Sequence, residues 1–417
     1  MDELAFDPMD ASKTKDWELL ARIRSSEPVL RPTEGVVFTA RYDDTATVFK
    51  DARRFSSAGD MRAPGVTVPE EESFLGELDA PLHPKIRRIL LRGFTPARAV
   101  AAEPWTRAWV AARLTAVAAD GGGDLMKRLA IPLPVAVAGH ALGIPEELHD
   151  DMQRWCDELL HSTWPTMGRT ERGVGIEGAF PEFAAAIDAL IAARRLPEGA
   201  AAGAAGAGSA SAAGAGGEPP DLLAVMVQTR ADDGWRIPEQ HVRTLAINIL
   251  AGSLSTSYMV GNLLYRFITH PDDFASVLAA DRALVPAAVE ESLRHEAPVS
   301  FLFRRVVADT ELGACPVHAG EHIMMGIASA NRDDATYPDA SAFRLDRTGE
   351  PEHLAFGAGA HLCLGNHLTR MIGKVVLEEV IDRFGPGGLS LAPGFEWVCV
   401  DHMLEYGPET LDVVIPR

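Results

Sequence analysis

The sequence is poor in cysteine, in positive charge and in long apolar runs. Its four cysteines, Cys156, Cys315, Cys363 and Cys399, are scattered over 417 residues without a CxxC pair, which disfavours zinc knuckles and disulfide frameworks. Lys and Arg number 39 against 59 Asp and Glu, and the net charge of -20 repels nucleic acid and anionic membrane surfaces. No segment approaches the ~18 consecutive apolar residues of a membrane span, and no signal peptide is expected. We therefore expect a cytoplasmic protein with no nucleic-acid or membrane partner.

The composition is otherwise that of a globular protein, with 47% hydrophobic and 24% charged residues. One segment differs: residues 199–217 are almost entirely Ala, Gly and Ser, and Glu218, Pro219 and Pro220 follow. Because each glycine costs up to ~1 kcal/mol relative to alanine in a helix, a flexible loop is predicted there. Chemically informative motifs lie on both sides of it. We therefore predict one domain over residues 1–417 with a loop insertion at 199–220.

Apolar residues recur with helical spacing through most of the chain, and strand-like runs, such as residues 36–40 and 322–327, are few. The predicted fold class is mainly α with small β-sheets. Residues 238–270 form the longest helical pattern, and it is apolar around much of its circumference, which indicates burial on several sides. The other predicted helices lie at 99–119, 146–160, 180–195, 221–230, 286–295 and 364–384.

The strongest chemical signal surrounds Cys363, in the run Ala-Phe-Gly-Ala-Gly-Ala-His-Leu-Cys-Leu-Gly at 355–365. Its three glycines allow a close approach of backbone to a flat ligand, and the apolar residues after Cys363 start a helix. At a helix N-terminus, unsatisfied N–H groups and the helix dipole stabilise a thiolate. Such a thiolate is suited to hold haem iron and favours O–O cleavage. The competing interpretation is a buried structural cysteine in a glycine-rich turn.

This run resembles the haem-binding loop of the cytochrome P450 family, F-G-x-G-x-H-x-C-x-G, at every fixed position. The resemblance implies the fold of that family, a triangular prism of helices around haem b. It also implies that Cys363 is the iron ligand and that His361 reaches a haem propionate. Phe356, followed by Gly357, is expected beside the sulfur.

Further segments continue the resemblance in the family's order. Glu291 and Arg294 resemble its ExxR motif, in which an acid and a base at i,i+3 share a helix face and hold the core near the haem loop. His83 and Arg87, at i,i+4, resemble the start of a haem-flanking helix, and both are expected to contact a propionate. The resemblance thus covers the chain from about residue 20 to its end.

At two positions the resemblance does not decide which residue takes the family's role. Arg304 is placed like a further arginine that binds a propionate, but its neighbour Arg305 leaves the choice undecided. Ala342 occupies a position that is often basic in the family. Since this weakens the case for a complete Glu-Arg-Arg network, Glu291 and Arg294 are taken as the reliable pair.

The long helix departs from the family where dioxygen is expected to bind. Ala251 and Gly252 match the small residues that open the helix beside the iron. Leu254 and Ser255 replace the family's acid and threonine, and Thr256 is displaced by one residue, or ~100° around the helix. Because leucine relays no proton, Ser255 or Thr256 with ordered water, or a substrate hydroxyl, is needed. Alternatively, both hydroxyls only bond to carbonyls one turn back.

Three functional hypotheses follow. The leading one is a haem-thiolate monooxygenase that hydroxylates, epoxidises or dealkylates a small, mostly apolar molecule, in specialised metabolism. Leu254 leaves open a haem-thiolate enzyme of non-hydroxylating type, which performs nitration, coupling or desaturation. The third is a catalytically silent haem-binding or recruitment protein.

The resemblance also suggests where the substrate and the electron donor bind. A basic cluster of Lys85, Arg87, Arg88 and Arg92 in an acidic chain, together with Arg370 and Lys374 after the cysteine loop, is expected to attract an acidic ferredoxin, which a ferredoxin reductase supplies with electrons. The pocket wall is expected to be mostly apolar, although each candidate is as typical of plain core. The wall candidates are Val299, Phe301, Phe303, Met403 and Leu404.

Overall fold

The computed structural model of the chain forms two compact units, each assembled from separate stretches of sequence. The first comprises Met1–Asp60, Glu103–Pro134 and Leu254–Arg417, and the second Met61–Ala102 and Val135–Ser253. The loop predicted at 199–220 lies outside the described residues, apart from Pro220. The structure describes residues 4, 6–8, 10–59, 69–163, 169–170, 173–174, 178, 180–195, 220–279 and 282–416.

Helices dominate both units and the strands are short, which confirms the predicted class, mainly α with small sheets. The helices are α1 (Ala11–Thr14), α2 (Trp17–Ser26), α3 (Tyr42–Lys50), α4 (Leu82–Leu90), α5 (Pro96–Ala119), α6 (Pro132–Leu142), α7 (His149–Thr163), α8 (Pro181–Ala192), α9 (Leu222–Gln228), α10 (Glu239–Gly252), α11 (Ser255–Thr269), α12 (Ala275–Ala279), α13 (Val285–His295), α14 (Ile327–Ala330) and α15 (Asn366–Phe384). The strands are β1 (Val29–Thr33), β2 (Val36–Thr39), β3 (Phe55–Ser56), β4 (Gly122–Asp124), β5 (Arg169–Thr170), β6 (Gly173–Val174), β7 (Leu302–Val306), β8 (Thr310–Leu312), β9 (Cys315–Val317), β10 (His322–Met325), β11 (Ser390–Leu391) and β12 (Asp412–Val414).

The prediction of one continuous helix over 238–270 is wrong, because α10 ends at Gly252 and α11 begins at Ser255. Glycine is a poor helix former. The Ser253 hydroxyl donates to the carbonyl of Leu250 over 2.6 Å and so competes with the helical hydrogen bonds. The interruption falls at the segment where the sequence suggested a dioxygen site.

The largest sheet of the first unit has five strands in the order β1-β2-β10-β7-β3. Strand β10 is central, parallel to β2 and antiparallel to β7. Its residues Ile323, Met324 and Met325 are all buried, as is typical of a strand covered on both faces. Arg304 of β7 pairs with Ile323 of β10, and β7 is an inner strand of the sheet.

Three helices of the first unit, α11, α13 and α15, pack against one another. Gly373 of α15 lies at a close approach of all three helices. A Cβ added there would lie 2.9 Å from a methyl carbon of Val289 on α13 and 3.3 Å from the sulfur of Met259 on α11. Any larger residue would push these helices apart, because packed interiors have no spare volume. The packing fixes α15, the helix that begins just after Cys363.

In the second unit, side chains of α10 hold the segment that follows residue 69. The Thr244 hydroxyl donates to the carbonyl of Glu71 over 2.8 Å, and the Asn248 side-chain oxygen accepts from the backbone N–H of Leu75 over 3.2 Å. Helix α4, which carries Lys85, Arg87 and Arg88 of the basic cluster, packs against α9 in the same unit.

Candidate active site

Cys363 lies between a glycine-rich loop and the first turn of α15. Two 3₁₀ turns, Leu354–Phe356 and Gly359–His361, precede it, and its backbone N–H closes the loop by donating to the carbonyl of Phe356 over 2.9 Å. Cys363 is exposed, whereas the other three cysteines are buried or half-buried. The sulfur therefore lies at an accessible helix start, which disfavours a purely structural cysteine.

Cys156 provides a contrast within the same chain. It is buried on α7, where desolvation, reinforced by the charge of Asp157, raises the pKa of its thiol. A metal-binding or reactive cysteine needs access and a stabilised thiolate. Cys156 therefore has the environment of an inert core residue, and Cys363 does not.

Gly357 and Gly359 shape the loop before Cys363. Their φ angles of 67° and 69° lie in the left-handed region that favours glycine. A Cβ on Gly359 would lie 2.7 Å from the carbonyl oxygen of Phe49, and one on Gly357 would lie 3.2 Å from the Phe49 ring. Both glycines thus lie against α3, and the loop can pack on that helix because neither glycine has a side chain.

Two basic side chains lie near this loop in the first unit. Nε2 of His361 is 3.2 Å from the hydroxyl of Ser57, and the guanidinium carbon of Arg304 is 5.9 Å from the centre of the Phe49 ring. Arg304 is 6% exposed while Arg305 is exposed, because neighbours on a strand face opposite sides. The structure thus turns Arg304 inward, toward the residue on which the cysteine loop is seated.

The donor set in the first unit fits a haem. Cys363 would offer a soft anionic ligand for iron, and the inward-facing Arg304 and the half-buried His361 are suited to pair with propionate carboxylates. A thiolate combined with cationic partners is the chemistry that an iron porphyrin with two carboxylates requires.

Glu291 of α13 is the centre of a buried ion-pair network. Arg294 donates to both of its carboxylate oxygens, over 2.8 and 2.7 Å, and Nε of Arg347 donates to one of them over 3.0 Å. The side chains of Glu291 and Arg294 are each 3% exposed. Burial by itself raises the pKa of Glu291, but the two guanidinium groups and the backbone N–H of Arg344 bring it below its ordinary value. The carboxylate is therefore ionised inside the protein.

The structure corrects the expectation that Ala342 leaves the Glu-Arg-Arg network incomplete. Ala342 supplies no basic side chain, but its carbonyl accepts from Arg294 over 3.0 Å and from Arg347 over 2.9 Å. The missing arginine is thus provided five residues further along the chain. A complete Glu-Arg-Arg network is formed by Glu291, Arg294 and Arg347, and the sequence signal for it was the second arginine of the Arg-Leu-Asp-Arg run after Phe343.

The hydroxyls predicted to serve dioxygen lie at the start of α11. Thr256 is 6% exposed, and its Oγ1 is 3.2 Å from Oγ1 of Thr369 on α15. Ser255 is half-buried, and Leu254, which replaces the family's acid, is 7% exposed. Thr256 therefore links α11 to the helix that begins beside Cys363.

The predicted pocket wall lies on two segments of the first unit that are hydrogen-bonded to each other. The backbone N–H of Ser300 donates to the carbonyl of Leu404 over 2.7 Å. Phe301 and Leu404 are buried, while Phe303 and Met403 are half-buried. The rings of Phe301 and Phe303 pack edge to face at 5.5 Å. The structure thus brings together the two segments that carry Val299, Phe301, Phe303, Met403 and Leu404.

Four further candidates lie in the second unit. His83 is 3% exposed and Arg87 is half-buried, one turn apart on α4. Ala251 is buried and Gly252 exposed at the end of α10. The roles expected for these residues in propionate and dioxygen binding stay predictions.

Comparison with known proteins defines the family. The Cytochrome P450 family model matches residues 209–386. The chain is 31% identical over 388 residues to cytochrome P450 monooxygenase PikC of Streptomyces venezuelae, over 90% of this chain and 85% of that protein. It is 32% identical over 402 residues to mycinamicin IV hydroxylase/epoxidase of Micromonospora griseorubida, over 94% of each. A solved structure of a mutant of P450 EryK with erythromycin B matches with a TM-score of 0.79 and 27% identity, over 97% of each chain.

The chain therefore belongs to the cytochrome P450 family. It is a haem-thiolate monooxygenase with the fold of that family, and its cofactor is a haem whose iron is bound by a cysteine. It acts on small molecules and depends on redox partners for electrons. Among the described residues, no helix combines the length and hydropathy needed to cross a membrane.

Proposed function

We propose that Cys363 is the cysteine that binds the haem iron, and that Arg304 and His361 bind haem propionates. The observation that carries this proposal is the exposed sulfur at the start of α15, in a loop seated on α3 beside Arg304. The bound haem supplies the site of dioxygen activation. The chain's own residues hold the thiolate, neutralise the carboxylates and shape the substrate pocket.

The proposed reaction is oxygenation of a mostly apolar macrocyclic or steroid-like molecule in specialised metabolism. Relatives named erythromycin C-12 hydroxylase, from Saccharopolyspora erythraea, and steroid C26-monooxygenase, from Mycobacterium tuberculosis, support this substrate class at 29% and 28% identity. The apolar wall candidates are consistent with it. Hydroxylation, epoxidation and dealkylation all fall within the proposal.

We propose further that Ser255 provides the hydroxyl for proton delivery. The hydroxyl of Thr256 is already close to Thr369 and is deeply buried, which favours a role in joining two helices. Ser255 precedes it by one residue, ~100° around the helix, and so faces a different side. Because Leu254 carries no proton, the route depends on this one hydroxyl and ordered water.

The test is turnover of a macrolide and steroid panel under ¹⁸O-labelled dioxygen with a ferredoxin system, after a screen for haem spin-state shifts. We expect products that carry labelled oxygen. Ser255→Ala should lower product formed per electron consumed by about tenfold, because general acid catalysis contributes at least that much. The control Thr256→Ala should affect coupling less.

Other outcomes distinguish the remaining hypotheses. Product without the label would favour the non-hydroxylating chemistry that Leu254 suggests, and ligand binding without turnover would favour a recruitment protein. In the same assay, better coupling in Leu254→Glu would mean that the missing acid limits proton delivery, whereas lost activity would mean that the leucine shapes the pocket.

We also propose an acidic ferredoxin, with its reductase, as the electron donor, acting in the cytoplasm. Support comes from the basic residues of α4, although two of them are partly neutralised. Lys85 lies 2.7 Å from Asp233, and Arg88 lies 3.0 Å from Asp232. Arg92, just beyond α4, is exposed and lines the same surface depression as Lys85 and Arg88. Because exposed ion pairs are weak, an acidic partner is able to displace these aspartates.

Opposite changes in charge should change the rate of haem reduction in opposite directions. At low salt, Arg88→Ala with Arg92→Ala should slow reduction by the ferredoxin about tenfold, and Asp232→Asn with Asp233→Asn should accelerate it, because steering depends on net surface charge. Stopped-flow reduction at two salt concentrations measures both effects, which should shrink at high salt. Equal rates in all three proteins would refute docking at this surface, provided that substrate-induced spectral shifts are unchanged.

A further inference from the structure

A chain of hydrogen bonds connects the backbone of Cys363 to an ion pair. The Asn366 side-chain amide donates to the Cys363 carbonyl over 2.6 Å, and its oxygen accepts from Arg370 over 2.8 Å. Arg370 also donates to both oxygens of Glu290 on α13, over 2.7 and 2.9 Å. Because a guanidinium can only donate hydrogen bonds, the Asn366 atom beside Arg370 is the amide oxygen and the one beside the Cys363 carbonyl is the amide nitrogen. Hydrogen bonds thereby connect the cysteine loop to the guanidinium of Arg370, which Glu290 holds in place.

The same cation lies over Phe356, the aromatic residue expected beside the sulfur. The guanidinium carbon of Arg370 is 4.6 Å from the centre of the Phe356 ring. The His353 ring packs against Phe356 at 5.6 Å, and its Nε2 lies 3.3 Å from Glu290. Glu290 therefore holds both side chains that flank Phe356.

The pair is ionised. Burial by itself raises the pKa of Glu290, but its contacts with His353 and Arg370 lower it to about 2. Burial by itself lowers the pKa of Arg370, yet the hydrogen bonds and charge of Glu290 raise it above its ordinary value, and the charge of Cys363 contributes in the same direction. The Arg370 cation is therefore held beside the cysteine loop by its contacts with Asn366 and Phe356.

We propose that Arg370 and Glu290 act as a positioning pair that sets the reduction potential of the iron, an inference that rests on Cys363 being the ligand. One-electron reduction by the redox partner adds one negative charge to the iron centre. The Arg370 cation, which contacts the cysteine loop through Asn366 and Phe356, stabilises that added charge. The negative charge of Glu290 partly offsets this stabilisation. Partners outside the ligand set commonly tune a metal centre in this way.

The test is potentiometric titration of the full-length haem-loaded protein and two variants. Arg370→Gln should lower the ferrous-to-ferric ratio at a fixed potential by about tenfold, or 59 mV for a one-electron couple, because Glu290 is left uncompensated. Glu290→Gln should raise the ratio, because the cation is no longer neutralised. Arg370→Lys, which keeps the charge but not the paired hydrogen bonds, should stay near the unmodified protein, and Glu290→Gln still tests the pair if Arg370→Gln does not fold.

Lys374 offers a matched control on the same helix. It lies one turn beyond Arg370 and pairs with Glu103 at 3.1 Å. Lys374→Gln removes one positive charge further from Cys363, so its shift should be small. Shifts of Arg370→Gln and Glu290→Gln in the same direction, or no larger than that of the control, would overturn the inference. Cys363→Ala tests the ligand separately, by loss of the thiolate-type spectrum of the reduced carbon monoxide complex. If that spectrum is lost while the charge-pair test fails, the proposed ligand stands and only the role of the charge pair is rejected.

Discussion

Replacing Cys363 with alanine is expected to abolish the thiolate-type spectrum of the reduced carbon monoxide complex and to lower turnover by roughly a thousandfold, equivalent to about 4 kcal/mol of barrier. The reason is that a thiolate ligand would favour O–O cleavage at a bound haem, and alanine offers no donor atom in its place. The loop itself should survive, because it is closed by the backbone bond from Cys363 to Phe356 and by the contact of Gly359 with Phe49. Difference spectroscopy and product analysis measure both effects.

Cys315→Ala is the matched control for that substitution. Cys315 lies half-buried on β9, within the first unit but outside the glycine-rich loop. Its removal should leave the spectrum and the turnover unchanged. If Cys363→Ala instead kept the same reduced spectrum, the sulfur–iron bond proposed for this chain would be wrong, whatever its family.

The second large effect is expected in the Glu291 network. Arg294→Met should destabilise the protein by about 3–5 kcal/mol, because it leaves a buried carboxylate that has lost its bidentate partner. Arg347→Met should have an effect in the same direction, since Arg347 donates to the same carboxylate and its side chain is 8% exposed. Urea unfolding measured with and without haem gives the free energy of unfolding, and the absorbance of the haem reports its incorporation.

Arg344→Met controls for the loss of an arginine in the same segment. The Arg344 side chain is 37% exposed and pairs with Asp346, while only its backbone N–H contacts Glu291. The substitution should therefore leave the free energy of unfolding close to that of the unmodified protein. Equal destabilisation by Arg344→Met and Arg347→Met would mean that the buried network contributes no more than an ordinary surface ion pair.

Much of the fold and of the site could be predicted because local signals are strong. Helical periodicity located α5, α13 and α15 to within a few residues, since the spacing of apolar residues reports which face is buried. The interruption between α10 and α11 was missed. It falls at Gly252 and Ser253, where the Ser253 hydroxyl bonds to a carbonyl three residues back, whereas the apolar periodicity continues across the segment.

The pairing of side chains from distant parts of the chain was harder to predict. Arg347 joins Glu291 across 56 residues, and Arg370 joins Glu290 across 80. The Arg-Leu-Asp-Arg run marks Arg347 as a candidate, but the pairing of each arginine with its acid depends on how separate segments pack. The choice between Arg304 and Arg305 was open for the same reason, and the burial of Arg304 with the exposure of Arg305 shows which of the two faces inward.

The amino-acid sequence by itself determined the mainly helical class, the glycine-rich turn before Cys363 and the helix start after it, because these follow from backbone preferences and spacing over a few residues. Tertiary structure alone decided which arginine completes the Glu291 network and that Thr256 bonds to Thr369. It also decided that a charged pair lies beside Phe356. Such contacts form only when helices distant in sequence are packed together, and their geometry is a property of that packing.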